Sequence, residues 1–436
     1  MGDHGRAAIL EAWENQSVRE TLLHTTLDNG LEVFLLPKRG FRKSFATFST
    51  HYGSIDRTFV PVGAKEPKTF PDGIAHFLEH KLFEEEKGDA TDRFAAIGAS
   101  SNAFTNYTST TYLFSATEAF EQGVDILLDF VHHPHFSPES VNREKGIIEQ
   151  EIRMYLDDPG WHLFHNLTNA LFVHHPVRVE VAGTVESIQE ITVEHLRLCY
   201  DTFYRPENML FFAVGDIDPE RTLETVRRGL RREKPAGPIR RVMPDEPDQV
   251  RERYVEGRMA VSRPSLLLGF KEAEHGRAGY VLREVATALL LEVVFGPSSA
   301  LHDRLYEKGL IDDRLSLFTF GTPDFGATVV GGETTDPQAL ADALLEGIEV
   351  ARREGISEEA FERARRKALG EVVGLFDSPE AIAFGFVDAH FKGVSLFDEL
   401  ETLRKVCLQD LEHRLRDHLT EERLSRSVIL PLEAAL

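Results

Sequence analysis

Apolar residues recur along the chain with two different periods. In Leu31–Leu36, Ser44–His51 and Ser265–Phe270 they form short runs rich in β-branched and aromatic side chains, which predicts strands. Elsewhere they return every three or four residues between serine caps and Asp-x-Pro ends, which predicts amphipathic helices. Strands come early in each half of the chain and helices follow. That order predicts an α+β fold of two homologous lobes, each a mostly antiparallel mixed sheet with helices packed on one face.

The halves look like one unit written twice. Phe136–Pro159 and Ile356–Pro379 align without gaps. Ser137/Ser357, Glu139/Glu359, Arg143/Arg363, Glu151/Glu371, Asp157/Asp377 and Pro159/Pro379 coincide. Upstream of each lies a strand and then a helix: Thr110–Ala116 and Gln122–Val131, against Ala327–Gly332 and Gln338–Ala351. Further upstream, Gly73–Glu86 is set against Gly296–Gly309. Agreement in order and offset points to duplication of a domain of ordinary size. The expected division is a first lobe at 1–226, a proline- and charge-rich linker at 227–256 and a second lobe at 257–436.

The chemistry concentrates in His76-Phe77-Leu78-Glu79-His80. Ile74, Phe77, Leu78 and Leu82 give this segment a helical stripe, with Asp72 as the expected cap and Gly88 as the expected end. Residues four apart sit one turn above each other, so His76 and His80 can share one metal ion. Glu79 is placed to act on a water beside it. A catalytic zinc needs a third protein ligand. The repeated helix offers Glu144 and Glu151, seven residues apart and on one face. In the second copy, the places of His76, His80 and Glu144 fall on Gly296, Ala300 and Ala364, so one site and one ion per chain are expected.

Composition narrows the classes. The 436 residues carry 72 acidic and 49 basic side chains, a formal charge of −23, so a nucleic-acid partner is not expected. Two cysteines, Cys199 and Cys407, exclude a multi-thiolate cluster and fit a reducing cytoplasm. The most apolar stretches, Met209–Val214 and Ala286–Phe295, are too short to span a bilayer. No signal peptide is visible at the N-terminus, and Arg6 breaks the myristoylation pattern. A cytoplasmic protein without a membrane partner is the expectation. His132, His133, His135, His174 and His175 read as loop histidines beside prolines. Cys199 and Cys407 read as packed thiols.

These motifs together resemble the pitrilysin/insulinase family of zinc peptidases. The resemblance rests on GIAHFLEHKLF, GASSNAFTNYTSTTYLFSA and NREKGIIEQEIRMYLDDP, and covers most of Thr25–Glu220. It implies His76, His80 and Glu151 as zinc ligands, Glu79 as general base and Glu144 as an acid orienting a ligand. It also implies that Asn102 and Ala103 lie on an edge strand that pairs with an extended peptide substrate. Family members that act alone or as homodimers carry an Arg and a Tyr in the second lobe. Here Leu305 and Asp312 stand at those places, with Arg304 and Tyr306 out of register. The resemblance therefore implies a zinc endopeptidase working as a heterodimer with a subunit that supplies the pair, a homodimer being the other arrangement. The alternative is a catalytically silent member that binds peptides or helps assembly.

Overall fold

The computed structural model describes residues 10–16, 18–230, 237–312 and 315–432. Residues 1–9, read above for a leader, and 231–236 of the expected linker lie outside them.

Two sheets organise the chain. The first runs, in spatial order, Glu11–Asn15, Glu20–Thr26, Glu32–Pro37, Met209–Gly215, Ser44–Thr50, Thr110–Ala116 and Ser100–Thr105. The second runs Tyr254–Met259, Leu424–Pro431, Ser265–Lys271, Phe325–Glu333 and Ser316–Thr322. The last five strands of the first sheet and the five of the second follow one plan. In each, the first of these strands pairs parallel with a strand from late in its lobe, and the rest pair antiparallel. This shared topology agrees with the duplication read from sequence, and the fold is the expected α+β pair of mostly antiparallel sheets.

Helices follow the same order in both copies. Ser137 and Ser357 cap the repeated helices, Pro138–Leu156 and Glu358–Leu375, each accepting a backbone N–H three residues on. Each helix stops before the Asp-x-Pro proline, which opens the next one. One alignment changes. The helix holding the histidines, Ile74–Phe83, precedes a short helix, Ala90–Ala96, and then the edge strand. In the second copy the helix in that place is Tyr280–Phe295, followed by Ala300–Glu307 and the strand Ser316–Thr322. The pairing of Gly73–Glu86 with Gly296–Gly309 was therefore one helix out of step. The true counterpart keeps a glutamate, Glu284, but has valines at the two histidine places, so the His-x-x-Glu-His motif is not there to align.

The chain forms two compact units, and neither is a contiguous half. The first comprises 1–152, 179–243 and 375–391; the second comprises 153–178, 244–374 and 392–436. They differ from the expected lobes by an exchange of one helix each way. In the first unit, Leu35, Phe48 and Phe211 face the main core, while Phe34, Phe45 and Phe212 face the other way. That second face is covered by the late helix Pro379–Lys392, with Phe386 against Phe34 and Phe212 and Phe384 against Phe45. In the second unit, the early helix Pro159–Leu171 covers the corresponding face. Leu167 and Leu171 pack directly on Gly269, where any added Cβ would lie 2.8–2.9 Å from them. Strands buried on both faces read as unbroken apolar runs, and Met209–Gly215 is buried at every position. That run was the available signal for a second covering layer.

Among the described residues, no single helix is long and apolar enough to cross a membrane.

Candidate metal centre

The first unit brings the two sequence motifs together. His76, Glu79 and His80 lie on Ile74–Phe83, and seven of that helix's first eight residues are buried in a core built on Leu78, Phe77 and Leu82. The expected Asp72 cap is not used. Asp72 pairs instead with Arg57 at 3.0 Å, and Gly73 in a left-handed conformation begins the helix. A Cβ at Gly73 would lie 2.3 Å from the carbonyl oxygen of Ala182, so only glycine lets the chain enter the helix here. Nor does the helix reach Gly88; it ends at Phe83.

Glu144 and Glu151 come from the repeated helix, and the fold gives them different neighbours. Glu144 is buried, and its Oε1 lies 3.0 Å from Nδ1 of His80. That bond puts the proton on Nδ1 and leaves the Nε2 lone pair free to bind a metal. Glu151 faces both histidines: its carboxylate oxygens lie 3.6 Å from Nε2 of His76 and 3.5 Å from Nε2 of His80. Those distances exceed good hydrogen bonds. They match two donors sharing one ion: ligands at about 2.1 Å in a tetrahedron are roughly 3.4 Å apart. One ligand atom from each of His76, His80 and Glu151 falls within 4.8 Å of the others. Nδ1 of His76 is buried with no hydrogen-bond partner among the described residues. The donor set, two imidazoles and one carboxylate, is one that zinc accepts.

The surroundings act on the two imidazoles in opposite directions. Burial, with the adjacent His80, pushes His76 down to about 4, which keeps it unprotonated and able to coordinate. Burial alone would lower His80 too, but the Glu144 bond and the fields of Glu79, Glu144 and Glu151 outweigh it and raise its pKa. Burial pushes Glu79 up to about 7. Opposing that, the hydroxyl of Thr105 donates to Oε2 of Glu79 at 2.6 Å. A carboxyl with a pKa near neutrality both takes and returns protons readily. Thr105 was missed from sequence. Its signal is weak: alternation along Ser100–Thr105 places it on the face toward the helix, but nothing in the spacing says which helical residue it meets.

Ser100–Thr105 is the outermost strand of its sheet, as expected for Asn102 and Ala103. The Ala103 N–H is held by the side-chain oxygen of Asn102 at 2.9 Å. A strand added at this edge would take over that donor.

Other expectations fare differently. His132 is not a loop residue; it is buried as the last residue of the helix Phe120–His132, its ring edge-on to Phe48. His175 is buried as well, and burial pushes it down to about 4. Neither joins a metal-ligand group among the described residues. Cys199 is a packed thiol, as read, whereas Cys407 is exposed. In the second unit Leu305 is buried in the core and Asp312 pairs with Arg263, while Arg304 and Tyr306 are exposed.

Comparison with known proteins places the site in context. Residues 57–185, which hold His76, His80, Glu79, Glu144 and Glu151, match the model of "Insulinase (Peptidase family M16)". Residues 190–368 match "Peptidase M16 inactive domain". An uncharacterized zinc protease of Bacillus subtilis is 42% identical over 97% of this chain and 100% of its own length. An uncharacterized zinc protease of Mycobacterium bovis is 28% identical over 93% of this chain and 92% of its own. The crystal structure of an M16-like peptidase from Alicyclobacillus acidocaldarius superimposes with a TM-score of 0.89 at 36% identity, covering 98% of this chain and 99% of that one. A histidine pair and glutamate poised for one ion, on a fold shared from end to end with these relatives, place the chain in the insulinase (M16) family of peptidases.

Proposed function

We propose that the chain is a zinc-dependent endopeptidase that cuts extended peptides or unfolded segments. The observation that carries this reading is the convergence of His76, His80 and Glu151 beside a buried Glu79 that Thr105 holds in place. Those three residues would hold one zinc ion. When bound, zinc would polarise the scissile carbonyl and make the attacking water more acidic. Glu79 takes the proton of that water and later gives it to the leaving amine. Thr105 orients the Glu79 carboxylate, and Glu144 fixes the ring of His80 through Nδ1. The outer strand Ser100–Thr105 supports binding of the substrate backbone by strand addition, with Asn102 giving up the Ala103 N–H. Such binding favours unfolded chain and is indifferent to most of its sequence.

The test is zinc stoichiometry by elemental analysis, with cleavage of a quenched peptide, for wild type and Glu79→Gln. We expect one zinc per chain in both and loss of cleavage in the variant. Persisting cleavage would refute the role of Glu79, and a zinc-free wild type would refute the metal site.

The same reading includes a partner. Leu305 and Asp312 occupy the places where the family resemblance implies an Arg and a Tyr, so a second family subunit supplies that pair. Full activity of the purified chain alone, lost on Arg304→Ala, would sink the heterodimer. A catalytically silent role is the second reading, favoured by that same missing pair; a complete His76/Glu79/His80/Glu151 set argues against it. Two unpaired cysteines support a cytoplasmic location, which cell fractionation would check.

A further inference from the structure

The second unit contains a cavity of about 260 Å³ in the place that the metal centre takes in the first. Its walls are the helix Tyr280–Phe295, the edge strand Ser316–Thr322 and the helix Glu358–Leu375, with Glu399 and Leu403 closing one side. The first three are the counterparts of the histidine helix, the edge strand and the helix of Glu144 and Glu151.

Individual residues correspond as well. The hydroxyl of Thr319 donates to Oε2 of Glu284 at 2.8 Å, repeating the Thr105–Glu79 bond. Thr319 lies opposite Thr328 in its sheet, as Thr105 lies opposite Thr110. With Glu284 at the place of Glu79, Val281 and Val285 stand where His76 and His80 stand. Ala364 and Glu371 take the places of Glu144 and Glu151. Val285 and Ala364 therefore replace the bonded pair His80 and Glu144, and both line the cavity. Two long polar side chains of the first unit correspond to two short apolar ones here, and a cavity lies beside them.

What remains has a definite chemistry. Val285, Leu289, Leu317, Ala368 and Leu403 give the cavity an apolar surface contributed by each of its walls. Glu292, Glu371 and Glu399 also line the cavity, against a single cation, Lys367. Lys367 is engaged by Glu292 at 2.7 Å and reaches Glu371 only at 3.9 Å. Partial burial and the fields of Glu284 and Glu371 raise the pKa of Glu399 against the opposing field of Lys392, and both Glu371 and Glu399 reach solvent. With both histidine positions now valine, the site has no imidazole left for a zinc-type ligand set. An engineered apolar cavity of ~150 Å³ takes a benzene-sized molecule, so this one accommodates a somewhat larger guest.

We propose that this cavity is a binding site for an alkylammonium group, its apolar stem along the Val285–Leu289 wall and its charge toward Glu371 and Glu399. The group can belong to a free amine or to a lysine side chain, and the chemistry is the same. The site is separate from the metal centre and does not depend on the peptidase reading.

The test is binding to the full chain followed by ligand-observed NMR, with hexylamine, hexanol, hexanoate and N-acetyl-lysine methylamide as probes. Hexylamine should bind at roughly millimolar Kd or tighter. Hexanoate should not bind detectably, and hexanol should be at least fivefold weaker than hexylamine. Ala364→Leu, which fills the cavity, should weaken hexylamine at least tenfold, and Glu399→Gln should weaken it severalfold. Ala368→Leu is the second filling variant should Ala364→Leu fail to fold. Binding of the lysine derivative would identify a peptide side chain as an admissible source; its absence beside hexylamine binding would identify a free amine. Equal binding of hexylamine and hexanoate, or hexylamine binding untouched by cavity filling, would overturn the proposal.

Discussion

Removing Glu144 tests whether the centre is organised from outside its ligand set. The Glu144 carboxylate is buried and accepts from Nδ1 of His80 at 3.0 Å. A hydrogen bond to a charged partner is worth about 1.5–3 kcal/mol. If the whole of that bond serves to orient the ring, Glu144→Ala should weaken zinc binding by about 10- to 100-fold, since tenfold corresponds to about 1.4 kcal/mol. Glu144→Gln keeps an oxygen acceptor in the same place without the charge, so its loss should sit at the lower end. Glu151→Ala removes a proposed ligand and should cost more than either. The assay is competition for zinc against a chromogenic chelator at neutral pH. Thermal melts of the metal-free proteins separate lost affinity from lost folding. Unchanged zinc affinity in Glu144→Ala would refute the orienting role. A loss equal to that of Glu151→Ala would make Glu144 a ligand and the assignment of the two acids wrong.

Thr105→Val keeps shape and removes the donor to Glu79; zinc content should hold while kcat/KM falls about tenfold or more, and Thr105→Ser should restore it. Unchanged kcat/KM in the valine variant would show that Glu79 needs no such support. Phe386→Ala strips the ring that covers Phe34 and Phe212, and should destabilise the protein by about 3–5 kcal/mol in denaturant melts; a loss under 1 kcal/mol would mean that the exchanged helix adds little. Glu272 is held at about 2: burial would raise it, but the field of His418 where that ring is protonated and the charge and hydrogen bond of Arg414 lower it. Burial pushes His418 down to about 3, so above that pH Arg414 is the standing charge. A carboxyl depressed in the folded state stabilises fully above its unfolded value, near 4.5, and that contribution fades as pH falls toward 2. Arg414→Met should therefore flatten the fall in stability between about pH 5 and 2. Parallel acid limbs in the two proteins would remove Glu272 as a cause.

Several features were readable in the residues because they depend on near neighbours. A four-residue step on a helix brings His76 and His80 together whatever surrounds it. Serine caps and Asp-x-Pro ends locate the repeated helices, since a cap bonds backbone three residues away. The duplication was likewise visible as a pattern of order, whereas the edge strand was only implied by the family resemblance. Where the motif was lost, alignment slipped: with valines at the histidine places of Tyr280–Phe295, Gly73–Glu86 was set against Gly296–Gly309, one helix further on.

The sequence by itself determined which residue types could bind a metal and that the fold repeats. Tertiary structure decided which of them meet. Glu144 and Glu151 lie two turns apart on one face, and spacing alone gives them equal claims. Only the placement of their helix against Ile74–Phe83 sends one to Nδ1 of His80 and the other toward both Nε2 atoms. Thr105 meets Glu79, and the late helix closes the first sheet, across 26 residues in one case and hundreds in the other. Such contacts are fixed by the packing of buried faces, which are apolar alike and carry no address for their partners.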